Sequence, residues 1–121
     1  MANEIAFSGS LTVSPSIGRA RSALVSGFRA SMAGSRVIDD TQLIGTSEEA
    51  IDLGEITSVG WAYFKNLDVT NYLEIYNGSA GAKLVKLLAG ESAFFRMPPT
   101  CVPYALANTA ACYLEYIIAE L

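Results

Sequence analysis

The residues that could do chemistry in this 121-residue chain are few, and the first fact about them is that none is a histidine. That removes a Ser-His-Asp triad, a Cys-His pair and any histidine-based metal site. Cys101 and Cys112 are too few to hold zinc by themselves. Both sit among apolar residues, so buried packing is their expected role, and a disulfide between them needs an oxidising compartment. Asp39-Asp40 and Glu48-Glu49-Asp52 gather the carboxylates that calcium favours, but without EF-hand spacing. No carboxylate pair is singled out for glycoside hydrolysis. The stretch GSAGAK at 78–83 has the glycines of a phosphate loop. It lacks the Gly-Lys-Ser/Thr ending and leads from strand to strand rather than into a helix. Asn77-Gly78-Ser79 matches a glycosylation sequon, which in a chain made in the cytosol reads as a hairpin turn. Trp61, Tyr63, Tyr72 and Tyr76 could present an aromatic platform to a sugar ring if their strands are neighbours. The expectation is therefore a protein with no catalytic residue, no cofactor and no metal.

The elements that must position these residues read as strands. Ile5, Phe7, Leu11 and Val13 alternate with Glu4, Ser8, Ser10 and Thr12, up to the Ser14-Pro15-Ser16 break. Residues 24–32 form a second strand, with Ser26-Gly27 marking a bulge or bend. Residues 36–44 read as strand, turn, strand around Asp39-Asp40. Residues 47–53 offer the best helix candidate, with Ser47 as cap, although a short strand or single turn serves equally. Then come strands at 61–64, 71–76 and 83–88, a tight hairpin turn at Ala89-Gly90 into 92–97, a Pro98-Pro99 break, and closing strands at 104–107 and 111–118. About nine short strands at this spacing predict an all-β fold, an antiparallel β-sandwich, jelly-roll-like, with an extended N-terminal segment. We expect one domain spanning 1–121, in which 1–36 serve as an arm or swapped edge strands and 37–121 form a compact body.

Composition sets the partners. At 51% hydrophobic and 17% charged the chain is no disordered segment. Its longest apolar runs fall far short of the roughly 18 residues of a membrane-spanning helix. Glu4 and Ser8 interrupt any secretory h-region, so a soluble protein made in the cytosol is expected. Arg19, Arg21, Arg29 and Arg36 against Glu4 give residues 1–37 a net +3, while the six acids of 39–55 give −6. A net charge of −4 disfavours nucleic acid. The basic N-terminal stretch suits the acidic stretch of a neighbouring copy or an acidic partner. Several strands are apolar on both faces: Trp61 and Tyr63 oppose Ala62 and Phe64, and Tyr113 and Ile117 oppose Leu114, Tyr116 and Ile118. One small sandwich cannot hide both sets, which predicts a homo-oligomer. Phe7, Arg19, Arg21, Phe28, Arg29, Trp61, Tyr63, Tyr72, Tyr76 and Tyr113 are the candidate interface residues.

Residues 45–77, GTSEEAIDLGEITSVGWAYFKNLDVTNYLEIYN, carry a family resemblance, together with LLAGESAFFRM and the closing YALANTAACYLEYIIAEL. The acidic EAIDLG turn, the strand ending in KNLD, the TNYLEI strand, the LLAGE hairpin and the terminal ANTA strand pair resemble the small virion structural proteins of tailed bacteriophages. The likeness covers about the last 75 residues. It implies a non-enzymatic capsid decoration (cement) protein, or a head, neck or tail accessory protein, made in the host cytoplasm and resident in the virion. Its implied partners are the major capsid protein or another virion protein, and further copies of itself. Lattice display favours a trimer. The alternative is a head or tail fibre attachment module that binds host-surface glycans.

Overall fold

The structure, a computed structural model, describes residues 3–121 and divides into two compact units, the first ending at Ala33 and the second running from Gly34 to Leu121. The first unit is an antiparallel ribbon of β1 (Ile5–Val13) and β2 (Arg21–Ala30). Its pairing sets Phe7 against Phe28, Leu11 against Ala23 and Val13 against Arg21. These directly opposed pairs share one face, with Ile5, Ala30 and Val25. The other face carries Ala6, Ser8, Ser10, Thr12, Ser22, Leu24 and Arg29. The register shifts between Phe7 and Gly9, where Ser26 and Gly27 bulge from β2. Gly27 has a φ of 70°, a left-handed conformation that a side chain would strain.

The second unit contains β3 (Val37–Ile44), β4 (Glu49–Ala50), β5 (Val59–Asn66), β6 (Leu73–Asn77), β7 (Ala82–Leu87), β8 (Ser92–Arg96), β9 (Pro103–Ala107) and β10 (Cys112–Glu120). They form two antiparallel four-stranded sheets, ordered β3-β10-β5-β8 and β4-β9-β6-β7. This is the strand order of a jelly roll. Alternation decides what each sheet buries. Ile44, Ala62, Phe64, Leu114, Tyr116 and Ile118 point inward from the first sheet, against Leu73, Ile75, Leu87, Ala105 and Ala107 from the second. Phe64 stands at the centre, with its ring 5.8 Å from Phe95 and 6.4 Å from Tyr116.

Two local expectations are corrected, and the choice left open for residues 47–53 falls to the short strand. Residues 36–44 do not turn at Asp39-Asp40. β3 runs unbroken, pairing Asp39 with Ile117 and Asp40 with Tyr116. Because β3 is an edge strand, both carboxylates reach water without leaving the ladder. Ala89-Gly90 is a tight turn with Gly90 at φ 78°, but it does not close a hairpin. β7 pairs with β6 and β8 with β5, so the turn carries the chain from one sheet to the other. Residues 47–53 contain the two-residue strand β4 and no helix, since Glu49 and Ala50 find ladder partners in Ala105 and Tyr104.

Candidate functional site

The buried polar groups of the second unit hold the fold together. The Asn66 side chain is fully buried at the end of β5. Its Nδ2 donates to the carbonyls of Asn71 at 2.8 Å and Leu87 at 3.1 Å, and its Oδ1 accepts from the Asp68 amide at 2.9 Å. One side chain thereby ties the first sheet to the loop before β6 and to the end of β7. The Tyr116 hydroxyl donates to the Asp52 carbonyl at 2.7 Å. Burial, and then the charges of Asp40 and Asp52, push its pKa up to about 12. Cys101 and Cys112 are free and buried, and burial raises both thiols, with the Asp68 charge adding to the effect at Cys112. Neither has the character of a reactive thiolate.

The outer face of β4-β9-β6-β7 carries an ionic network. Glu74, nearly buried, pairs with Lys83 and accepts from the Tyr76 hydroxyl at 2.8 Å. Burial opposes ionisation of Glu74, but Lys83, Tyr76 and the Lys86 charge outweigh it and hold the carboxyl below its ordinary value of 4.5. Lys86 also lies 4.1 Å above the Tyr72 ring. Glu74, the Tyr76 hydroxyl, Lys83 and Lys86 each have a partner, which suits a solvated sheet face.

The outer face of β3-β10-β5-β8 is of another kind. Across its ladder, Leu43 lies beside Tyr113, Asp39 beside Ile117, Ile117 in turn beside Tyr63, and Val37 beside Ala119. Val37, Leu43, Tyr113 and Ile117 are exposed. Trp61 is half-buried, stacks on Phe94 at 5.0 Å and has the Arg96 guanidinium 5.2 Å from its ring. Tyr63 donates to Glu115 at 3.2 Å; burial first, and then that carboxylate, raise its pKa.

The candidate interface residues therefore fall into three groups. Phe7 and Phe28 are opposed on the ribbon, where Arg19, Arg21 and Arg29 are exposed. Trp61, Tyr63 and Tyr113 share the outer face of the first sheet, whereas Tyr72 and Tyr76 lie on the second. The four-residue aromatic platform is thus not assembled. β5 lies between β10 and β8, and β6 between β9 and β7, so sequence neighbours became members of different sheets. Val37, Leu43 and Asp39 lie on the same outer face as Trp61, Tyr63 and Tyr113 but were not among the candidates. Their signal was alternation within β3, hidden by placing a turn at Asp39-Asp40.

The acidic segments are equally accounted for. Glu48 accepts from the Ala80 amide at 2.8 Å and from the Ser79 hydroxyl at 3.4 Å, bracing the turn between β6 and β7. Asp40 accepts from the Thr41 amide and Asp52 from the Gly54 amide. Among the described residues no group of three or more acids and cysteines is placed to hold a metal ion, and no helix is long and apolar enough to cross a membrane.

No family model and no curated protein matches the chain. One solved structure, from work on Bacillus endospore appendages that form a family of disulfide-linked pili, aligns over 79% of this chain and 99% of its own, at 16% identity and a TM-score of 0.40. A likeness at that score carries no argument about this chain.

Proposed function

We propose that this protein is a non-enzymatic structural component of a tailed-phage virion, a decoration protein that self-associates and binds the major capsid shell to stabilise it. The carrying observation is the first unit. It is a two-stranded ribbon whose large apolar residues Leu11, Val13, Leu24 and Val25 are exposed, with Ile17 exposed in its connecting segment. An isolated ribbon of two strands is marginal in water, so such a surface favours a segment that is completed by a partner. The jelly-roll body supports the reading only by analogy, because viral capsid domains and lectins both use that fold. The family resemblance of residues 45–121 supports the virion assignment, and Arg19, Arg21, Arg29, Phe7 and Phe28 place candidate contacts on the arm.

The test is addition of the full-length protein to shells assembled from the major capsid protein of the same virus. Saturable uptake at a fixed copy number per shell, with greater resistance of the shell to heat, is expected. Shells that take up no protein contradict the proposal. Retention on a glycan array by a protein that ignores shells would favour the attachment reading. Multivalent display lets each contact be weak, so occupancy should fall cooperatively when Leu11→Ser and Val25→Ser are combined.

A further inference from the structure

We propose that the apolar face of the β1–β2 ribbon docks on the outer face of β3 and β10 of a second copy of the chain. This deepens the self-association reading and rests on it. Leu11 is 67% exposed and Val13 50% on the ribbon; Val37 is 57% exposed, Leu43 50% and Tyr113 55% on the β3–β10 face. Both surfaces are pleated sheet faces, and two such faces pack about 10 Å apart with their side chains interdigitated.

Charge selects the partner. On the ribbon Arg21 lies on the apolar face and Arg29 on the opposite one, Arg19 stands in the connection, and β1 and β2 contain no acid. On the outward face of β3 and β10 stand Asp39 and Glu115, with Lys65 of β5 beside Glu115, whereas Asp40 lies opposite the inward Tyr116 and Glu120 is paired with Arg36. Among the described residues Arg19 and Arg21 enter no ion pair. Arg21 lies on the apolar face of the ribbon, opposite Val13, and Asp39 lies on the outward face of β3, beside Ile117. The ribbon face thus sets Arg21 among its exposed aliphatic side chains, and the β3–β10 face sets Asp39 among its own, two exposed charges of opposite sign. Opposed potentials of this kind fix register and exclude a pairing of two ribbons, which would set arginine against arginine. An additional copy of the chain supplies both halves of the match without any other protein.

Charge reversal in the full-length chain tests it. Arg19→Glu with Arg21→Glu makes one variant, and Asp39→Lys the other, all at exposed positions. Light scattering coupled to size exclusion should find the wild type in a multiple of the protomer mass. Each variant alone should dissociate, with an apparent Kd raised at least about tenfold. A mixture of the two variants should recover a mixed assembly. Assembly untouched by either reversal, or a mixture that stays dissociated, overturns the proposal. A second measurement pairs Leu11→Cys in one tagged chain with Ile117→Cys in a differently tagged chain. A disulfide joining the two tags is expected, and its absence under oxidation contradicts the contact. A wild type that stays monomeric overturns the docking contact, whereas uptake by capsid shells would still stand as evidence for decoration. Failure of the two readings is therefore distinguishable.

Discussion

The two units of this chain are built from the same element and obey different rules. In the jelly-roll unit alternate side chains of each sheet point at a facing sheet, so Phe64, Leu114, Tyr116 and Ile118 are withdrawn from water entirely. In the ribbon, β1 and β2 have ladder partners but no second sheet within their own unit, and most of their residues are exposed. Strand pairing satisfies backbone groups in both cases, but burial of apolar surface dominates stability. The comparison teaches that the second unit carries the stability of the fold and the first carries apolar surface that folding of its own strands does not consume.

The contrast can be broken most sharply in the core. Phe64→Ala should destabilise the protein by about 3–5 kcal/mol, whereas Leu11→Ala should change it by no more than about 0.5 kcal/mol in dilute solution. Equal losses in chemical denaturation would erase the distinction. Asn66→Ala comes next. It leaves the carbonyls of Asn71 and Leu87 and the amide of Asp68 without their side-chain partner, at a cost of about 1–3 kcal/mol. Gly81→Ala would place its Cβ 1.8 Å from the Asn77 carbonyl oxygen, a backbone clash that should open the turn after β6 and lower the melting temperature.

Smaller effects come from titration. Tyr116 has its folded pKa raised to about 12 from an ordinary 10.0, so the folded state holds its proton longer than the unfolded chain. The sign follows: this contribution is intact below pH 10 and is lost as pH rises toward 12. Tyr116→Phe should cost about 1 kcal/mol through the lost bond to the Asp52 carbonyl and should flatten that alkaline decline. On the acid side Glu74 and Glu120 both have lowered values. Burial of Glu74 is outweighed by Lys83 and Tyr76, and amide hydrogen bonds from Arg36 and then Ser35 lower Glu120 against its own desolvation. Their stabilisation is present above pH 4.5 and is lost as pH falls through the folded values. Urea midpoints measured from pH 7 down to 2 should fall over that window, and less steeply for Glu74→Gln.

Much of this architecture was legible because alternation is a local signal. Ala62 and Phe64 inward with Trp61 and Tyr63 outward, and Leu114, Tyr116 and Ile118 inward with Tyr113 and Ile117 outward, follow from period two alone. What was hidden depends on which strand lies next to which. Asp39-Asp40 looks like a turn because acids are rare in buried strands, and only the edge position of β3 lets them stay in one. The Ala89-Gly90 turn has the chemistry of a hairpin, yet the jelly-roll path sends the chain across to the other sheet. Placing Tyr72 and Tyr76 with Trp61 failed for the same reason. The role of Asn66 was invisible, since its three partners come from the segments around residues 68, 71 and 87.

Native-state hydrogen exchange at two protein concentrations tests the central claim most directly, because it reads both units in one experiment. The amides of β5, β6 and β10 should be protected to the full extent of global stability at either concentration. Those of β1 and β2 should exchange fast when the protein is dilute and slow markedly when it is concentrated, as the ribbon finds its partner. Ribbon protection that equals that of β10 and does not depend on concentration would contradict the account.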